Sequence, residues 1–391
     1  MRQLRRNTRW AAVVMAVALA AAACSSGTST STGTTSGTGG ASGADQPAKA
    51  QAATDLAFKG TNRDVDPTPR AAAKSKHIVV ISGGQAASSS SIPSNGAVAA
   101  AQAMGWQVDL YDAKLNPANY APLVSQAIAA NVDGIILDAI DCNTVKQPLQ
   151  DAKAKGIATV PIYAYDCNDS HAGGDATGLY SAPVNFGAKA TDPDAFAGYY
   201  GADQANYIIA NSQNKAKIIA IQDPEFTVLY WTLKGFADTI EASGGSQIVS
   251  TLEVTTADLT NGQIVPKIQA ELLKHPEATW VKSPYTYVTT LGIAQALGAN
   301  PNKLKVMGSE GFVDELDLIR SGKITAANII SSEWVGWGAA DTMNSVFLSQ
   351  APVDSGIGWT MVDATHNLPA SGDFVPPVDF KSEYKKAWGV G

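Results

Sequence analysis

Residues 77–82 read HIVVIS and residues 217–221 read KIIAI, two β-branched runs one domain length apart, and the chain repeats itself after each of them. Beyond the first, helical spacing at 95–104, 120–130 and 145–155 alternates with strand-like runs at 107–111, 134–138, 158–163 and 183–186. Beyond the second, helices at 232–243, 264–274, 288–297 and 316–321 alternate with strands at 247–252, 279–282, 305–308 and 326–330. Strand alternating with helix is the signature of a parallel sheet covered on both faces. Two successive copies predict an α/β protein of two Rossmann-like lobes. A helix at 336–348 and a strand at 359–362 are left over once the second copy is complete. They fit a chain that crosses between lobes three times, near 187–194, 331–334 and 352–358. One lobe is then 76–190 plus 332–355, and the other 191–331 plus 356–391. A hinge of three segments bends without shearing.

Outward from this body, the N-terminus carries a different code. MRQLRRNTR is basic, 10–20 is an apolar run too short to span a bilayer, and small residues at 21–23 precede Cys24. This predicts an export signal over 1–23, resembling the bacterial lipobox, and a lipidated Cys24 that holds the protein to the outer face of the cytoplasmic membrane. Residues 25–43 are almost only Ser, Thr, Gly and Ala, the composition of a flexible tether, and 44–75 reads as a lead-in against the body. Without the signal's four arginines, 24 basic residues face 35 acidic ones, a formal −11. Nucleic acid is excluded as a partner, because phosphate neutralisation needs a basic face.

Certain strings carry a family resemblance: HIVVIS at 77–82 with Pro93 and Gly96, NVDGIILD at 131–138, GIATVP at 156–161 and VMGSE at 306–310. In their order and spacing they resemble the type I periplasmic sugar-binding proteins, the ribose-receptor branch of ABC-transporter substrate-binding proteins. The resemblance covers about 76–365. It implies lobe closure on a small neutral polar ligand, a sugar or polyol, by a monomer that passes it to ABC permease subunits. Sugar-responsive repressors share the lobes, but here an export signal stands where their helix-turn-helix would be.

Ligands of open parallel sheets bind at the carboxyl ends of strands, so the strand exits supply the candidates. The first exit offers Gln85, Ser91, Ser94 and Asn95, whose hydroxyls and amides suit polyol recognition, or which form a solvated loop. Later exits offer Asp138, Asp141 and Asp166, as hydroxyl acceptors or helix caps. By the resemblance, Asp138 and Asp166 fall on sugar-contacting positions. In the second lobe Glu225, Tyr230, Trp231, Tyr285 and Glu310 follow strands, and Glu333 and Trp334 lie at a hinge crossing; rings are to stack on sugar faces while carboxylates take hydroxyls. Phe226 and Trp337 are read either as pocket or as core. Cys142 and Cys167 follow neighbouring strands in an exported protein, which predicts a disulfide. Cys167 also stands where ribose-type receptors carry a ligand-binding Arg. Arg320 is the only Arg after Arg70, so anionic ligands are disfavoured.

No nucleophile elbow, zinc-binding pair or phosphate loop occurs, and the four histidines are scattered. The reading is therefore a binding protein with no enzymatic activity, cofactor or metal. Two rivals remain open: a protein that presents its ligand to a sensor, and a secreted hydrolase.

Overall fold

The computed structural model describes residues 45–187, 192–298 and 304–391. Cys24 and the expected export signal over 1–23 lie outside these residues. A first helix, α1 (Gln46–Lys59), precedes the first lobe. That lobe runs β1 (His77–Ser82), α2 (Ser88–Ala103), β2 (Gln107–Asp112), α3 (Tyr120–Ala129), β3 (Gly134–Asp138), α4 (Lys146–Ala154) and β4 (Ala158–Ile162). The second runs α5 (Pro193–Asn211), β5 (Lys217–Gln222), α6 (Thr227–Ser243), β6 (Gln247–Glu253), α7 (Thr256–Thr260), α8 (Ile264–Lys274), β7 (Trp280–Lys282), α9 (Thr286–Val288), α10 (Ala294–Leu297), β8 (Lys305–Glu310), α11 (Val313–Arg320) and β9 (Ala326–Ile330). Then follow α12 (Ser332–Phe347), β10 (Trp359–Asp363) and α13 (Phe380–Trp388).

HIVVIS and KIIAI each lie one strand in from the edge of a separate sheet, ordered β2-β1-β3-β4 and β10-β9-β8-β7-β5-β6. Every pairing is parallel except β10 on β9. β3 and β9, covered on both faces, are buried at every position and apolar but for Asp138 and Asn328. On the first sheet, α2 and α12 cover one face and α3 and α4 the other. Gly96 of α2 and Gly336 of α12 let these two helices touch: a Cβ would come within 2.5 Å of the Glu333 carbonyl at Gly96 and 2.1 Å of the Pro93 carbonyl at Gly336.

Three differences from the sequence reading bear on the site. The serine-rich stretch after β1 is the first turns of α2, with Pro93 inside the helix. Its composition argues for a loop, but burial of Ser90 and Ser94 against the first sheet overrides local preference. Residues 183–186 form no strand; this segment binds the third crossing instead, Ser355 N–H donating to the Asn185 carbonyl at 2.9 Å. The chain end also divides differently. β10 joins the second sheet, whereas α13, expected in the second lobe, packs on α12 of the first.

The lead-in adds a further crossing. α1 packs on α5 and β10 of the second lobe, and 61–72 then runs along the hinge to the first. Thr61 and Arg63 N–H groups donate to the Trp359 and Gly356 carbonyls, and Arg70 and Ala72 N–H groups to Ala387 and Trp388 of α13. Arg70 ends buried, its Nε donating to Asp341 Oδ1 at 2.7 Å, where Trp388 Nε1 also donates at 2.6 Å. No helix among the described residues is long and apolar enough to cross a membrane.

Candidate functional site

The strand exits of both sheets meet around a cavity of about 150 Å³. From the first lobe it is walled by Ser89 and Ser90 in the first turn of α2, by Ala139 after β3, and by Tyr163 and Tyr165 after β4. Phe196 and Tyr200 on α5, Phe226 and Leu229 before and in α6, and Tyr285, Tyr287 and Glu310 close it from the second. Phe186 and Val335 flank the hinge side. Most of this wall is aromatic or aliphatic carbon.

The polar groups of the wall are bonded mainly to one another. Glu310, at the tip of β8, sits at φ 72°, a conformation uncommon outside glycine. Its Oε2 accepts from Ser89 Oγ at 2.7 Å and from Thr286 N–H at 2.9 Å, and its own N–H donates to Tyr200 Oη at 2.8 Å. Tyr200 Oη in turn donates to the Asn328 carbonyl at 2.8 Å. Glu315 clamps the turn from behind, accepting from Ser309 and Gly311 N–H groups at 3.0 and 2.9 Å. Burial pushes both carboxyls up to about 7, and each is opposed by the hydrogen bonds it accepts. Tyr285 Oη donates to Asp223 Oδ2 at 2.9 Å, and burial pushes Asp223 up to about 7. Tyr165 is 5% exposed and its hydroxyl has no partner.

Beside the cavity, several bonds join the lobes. Asp141 accepts from Tyr165 N–H of its own lobe at 2.7 Å and from Thr227 N–H, at the start of α6, at 2.8 Å. A carboxylate at a helix N-terminus satisfies an orphan donor and meets the positive end of the dipole. Trp231 Nε1 donates to Asp169 Oδ2 at 3.0 Å, and Tyr230 stacks on His171 with ring centroids 3.5 Å apart. With Ser89 on Glu310, these contacts define a closed arrangement.

Of the residues singled out from the sequence, Tyr285 and Glu310 line the cavity. Asp141, Tyr230 and Trp231 instead tie the lobes together beside it. Asp138 is buried behind the wall, where Ser94 Oγ donates to it at 2.9 Å, and burial pushes its pKa well above the usual carboxylate range. Asp166 turns inward and accepts from the N–H groups of Cys167, Leu179 and Tyr180, which folds 166–180 back on itself. Gln85 N–H donates to Asp112 Oδ1 at 3.0 Å, Ser91 is half-buried and Asn95 is exposed. Glu225 accepts from Thr256 N–H at 2.6 Å, and Glu333 pairs with Lys381 at 2.7 Å. Trp334 lies in the packed hinge, stacked on Phe380, with Nε1 donating to the Ser355 carbonyl. Trp337 is core and Phe226 is wall.

Cys142 and Cys167 form the expected disulfide, with Cα atoms 5.0 Å apart. Sequence reasoning missed Tyr163, Tyr165, Phe186, Phe196, Tyr200 and Tyr287. Two of them had a signal: Tyr163 and Tyr165 directly follow β4, at a strand exit.

Comparisons with known proteins add context to this geometry. Residues 78–350 match the model of a periplasmic binding protein domain. The ABC transporter periplasmic-binding protein YphF of Escherichia coli K12 is 31% identical over 139 residues, which are 34% of this chain and 38% of that protein. The chain thus spans well under half of that relative's length. Among solved structures, an ABC transporter solute-binding protein of Burkholderia graminis in complex with D-arabinose superposes with a TM-score of 0.63 at 19% identity, covering 77% of this chain and 99% of that one. The 5-methylthioribose transporter solute-binding protein of Thermotoga lettingae, holding 5-methylthioribose, gives 0.61 at 16% identity over 83% of this chain and all of the other.

Proposed function

The chain belongs to the periplasmic binding protein family, and from that premise we propose that it is an extracytoplasmic solute-binding lipoprotein of an ABC importer. It captures a small solute between its lobes and hands it to the permease subunits. One observation carries the reading: a ring-sized cavity walled by both lobes, with cross-lobe bonds beside it that exist only when the lobes are together. A solute that contacts both walls binds the closed form better than the open one and shifts the equilibrium by that difference. The family match and the relative from an ABC transporter support the importer role. D-arabinose in one structural neighbour supports a sugar or polyol as the class to test first. Anchoring through Cys24 rests on the sequence pattern before it.

Scattering and melting of the mature chain against a panel of sugars, polyols, ring alcohols and small amines test this. A cognate solute contracts the particle and raises the melting temperature by mass action. Asp141→Ala weakens that solute's binding, because it removes one bond of the closed form. An envelope that never changes, with every solute leaving melting unaltered, sinks the proposal.

A further inference from the structure

Resting on the cleft as the binding site, the lining narrows the solute. We infer that its ligand is hydroxyl-poor: an apolar body of about one ring, bearing a hydrogen-bond donor that it places on Glu310. An apolar cavity of roughly this size holds one six-membered ring. A ring-sized polyol brings about five or six hydroxyls, each of which needs a partner once buried. This wall is mostly carbon and provides few. Ser89 Oγ donates to Glu310, Thr232 Oγ1 to the Val228 carbonyl and Tyr285 Oη to Asp223. Tyr200 Oη donates to the Asn328 carbonyl, and Tyr163 Oη is 3.0 Å from Ser332 Oγ. Those hydroxyl protons are thus taken, which leaves the wall's other hydroxyls, on Ser90, Thr256, Tyr287 and Ser309, short of what a ring-sized polyol needs.

One charged group stands out on this wall. The Glu310 carboxyl uses Oε2 for both of its hydrogen bonds, which leaves Oε1 as an acceptor. An acceptor at the tip of an aromatic chamber selects a donor, either a hydroxyl on a neutral solute or an ammonium. Among the described residues that line it there is no Lys, Arg or His, so a carboxylate or phosphate would enter beside Glu310 uncompensated.

Titration calorimetry of the mature chain with benzyl alcohol, benzylamine, benzoate, D-glucose and myo-inositol tests this. Benzyl alcohol or benzylamine binds at least tenfold more tightly than either polyol or benzoate. Glu310→Gln separates the two donor types: it costs benzylamine tenfold or more if the natural donor is an ammonium, and leaves benzyl alcohol within threefold if it is a hydroxyl. Glucose or inositol binding as tightly as the benzyl pair, with contraction of the particle, overturns this inference and leaves the receptor reading standing. Preference for benzoate overturns it as well. Silence from all five, together with an unchanging particle, overturns both.

Discussion

Two aromatic clusters lie on either side of the hinge helix, one solid and one hollow. In the solid one, Trp337 stacks on Trp388 and Trp334 on Phe380, with centroids 5.5 and 4.9 Å apart, and Tyr384 fits between. In the hollow one, Phe186 stacks on Phe196 at 4.0 Å, but Tyr163, Tyr165, Phe226 and Tyr285 face a gap. The difference lies in what carries the rings. Phe380, Tyr384 and Trp388 recur every four residues on one helix, so a single face presents them to α12 and they close-pack. The cavity rings come from one helix, with Phe196 on α5, and otherwise from strand exits and connecting segments of both lobes, and such mixed segments meet without interdigitating. Residue type alone therefore does not tell wall from core.

If that contrast is sound, truncation should unfold one cluster and empty the other. Trp388→Ala should cost about 3–5 kcal/mol in urea unfolding, from lost burial and from the cavity it leaves. It also removes a donor from the Arg70–Asp341 pair. A loss below about 1 kcal/mol would mean the hinge cluster is not a core. Cys142→Ser should follow with about 2–4 kcal/mol, since it reopens a loop closed over a sequence separation of 25. The hollow side should show itself in pH dependence. Glu310, Glu315 and Asp223 have pKa values raised to about 7, so the folded state holds protons that the unfolded chain has lost. Stability from these groups is full below about pH 4 and is lost as pH rises through 7. Melting of the ligand-free chain should drop by several degrees between pH 5 and pH 8, and a flat profile would remove these acids from the interior. The smallest effect belongs to Phe226→Ala. It should change stability by less than about 1 kcal/mol, because the ring already borders empty space, yet weaken benzyl alcohol binding about fivefold. A stability loss matching Trp388→Ala would erase the distinction.

The fold was legible because it rests on burial patterns carried by consecutive residues. The runs at 134–138 and 326–330 match β3 and β9 at both ends, since strands covered on both faces admit few polar residues. The start of α2 was not, because Ser and Pro favour a loop until the neighbouring sheet is counted. The site was less legible than the fold. Asp138, Asp141 and Asp166 stand out after strands, but whether each meets a ligand, a helix end or its own loop depends on partners up to 86 positions away in sequence, as for Asp141 and Thr227. Phe186 and Phe196 come together across a crossing that no local pattern marks.

The path of the lead-in has a practical side. α1 rides on the second lobe and α13 on the first, so the two outermost helices report on opposite bodies. Gln51 and Lys386 are both exposed, and neither touches the cavity. A pair of dyes at these positions would act as a ruler across the molecule, reading each opening and shutting from handles that leave the solute's chamber untouched.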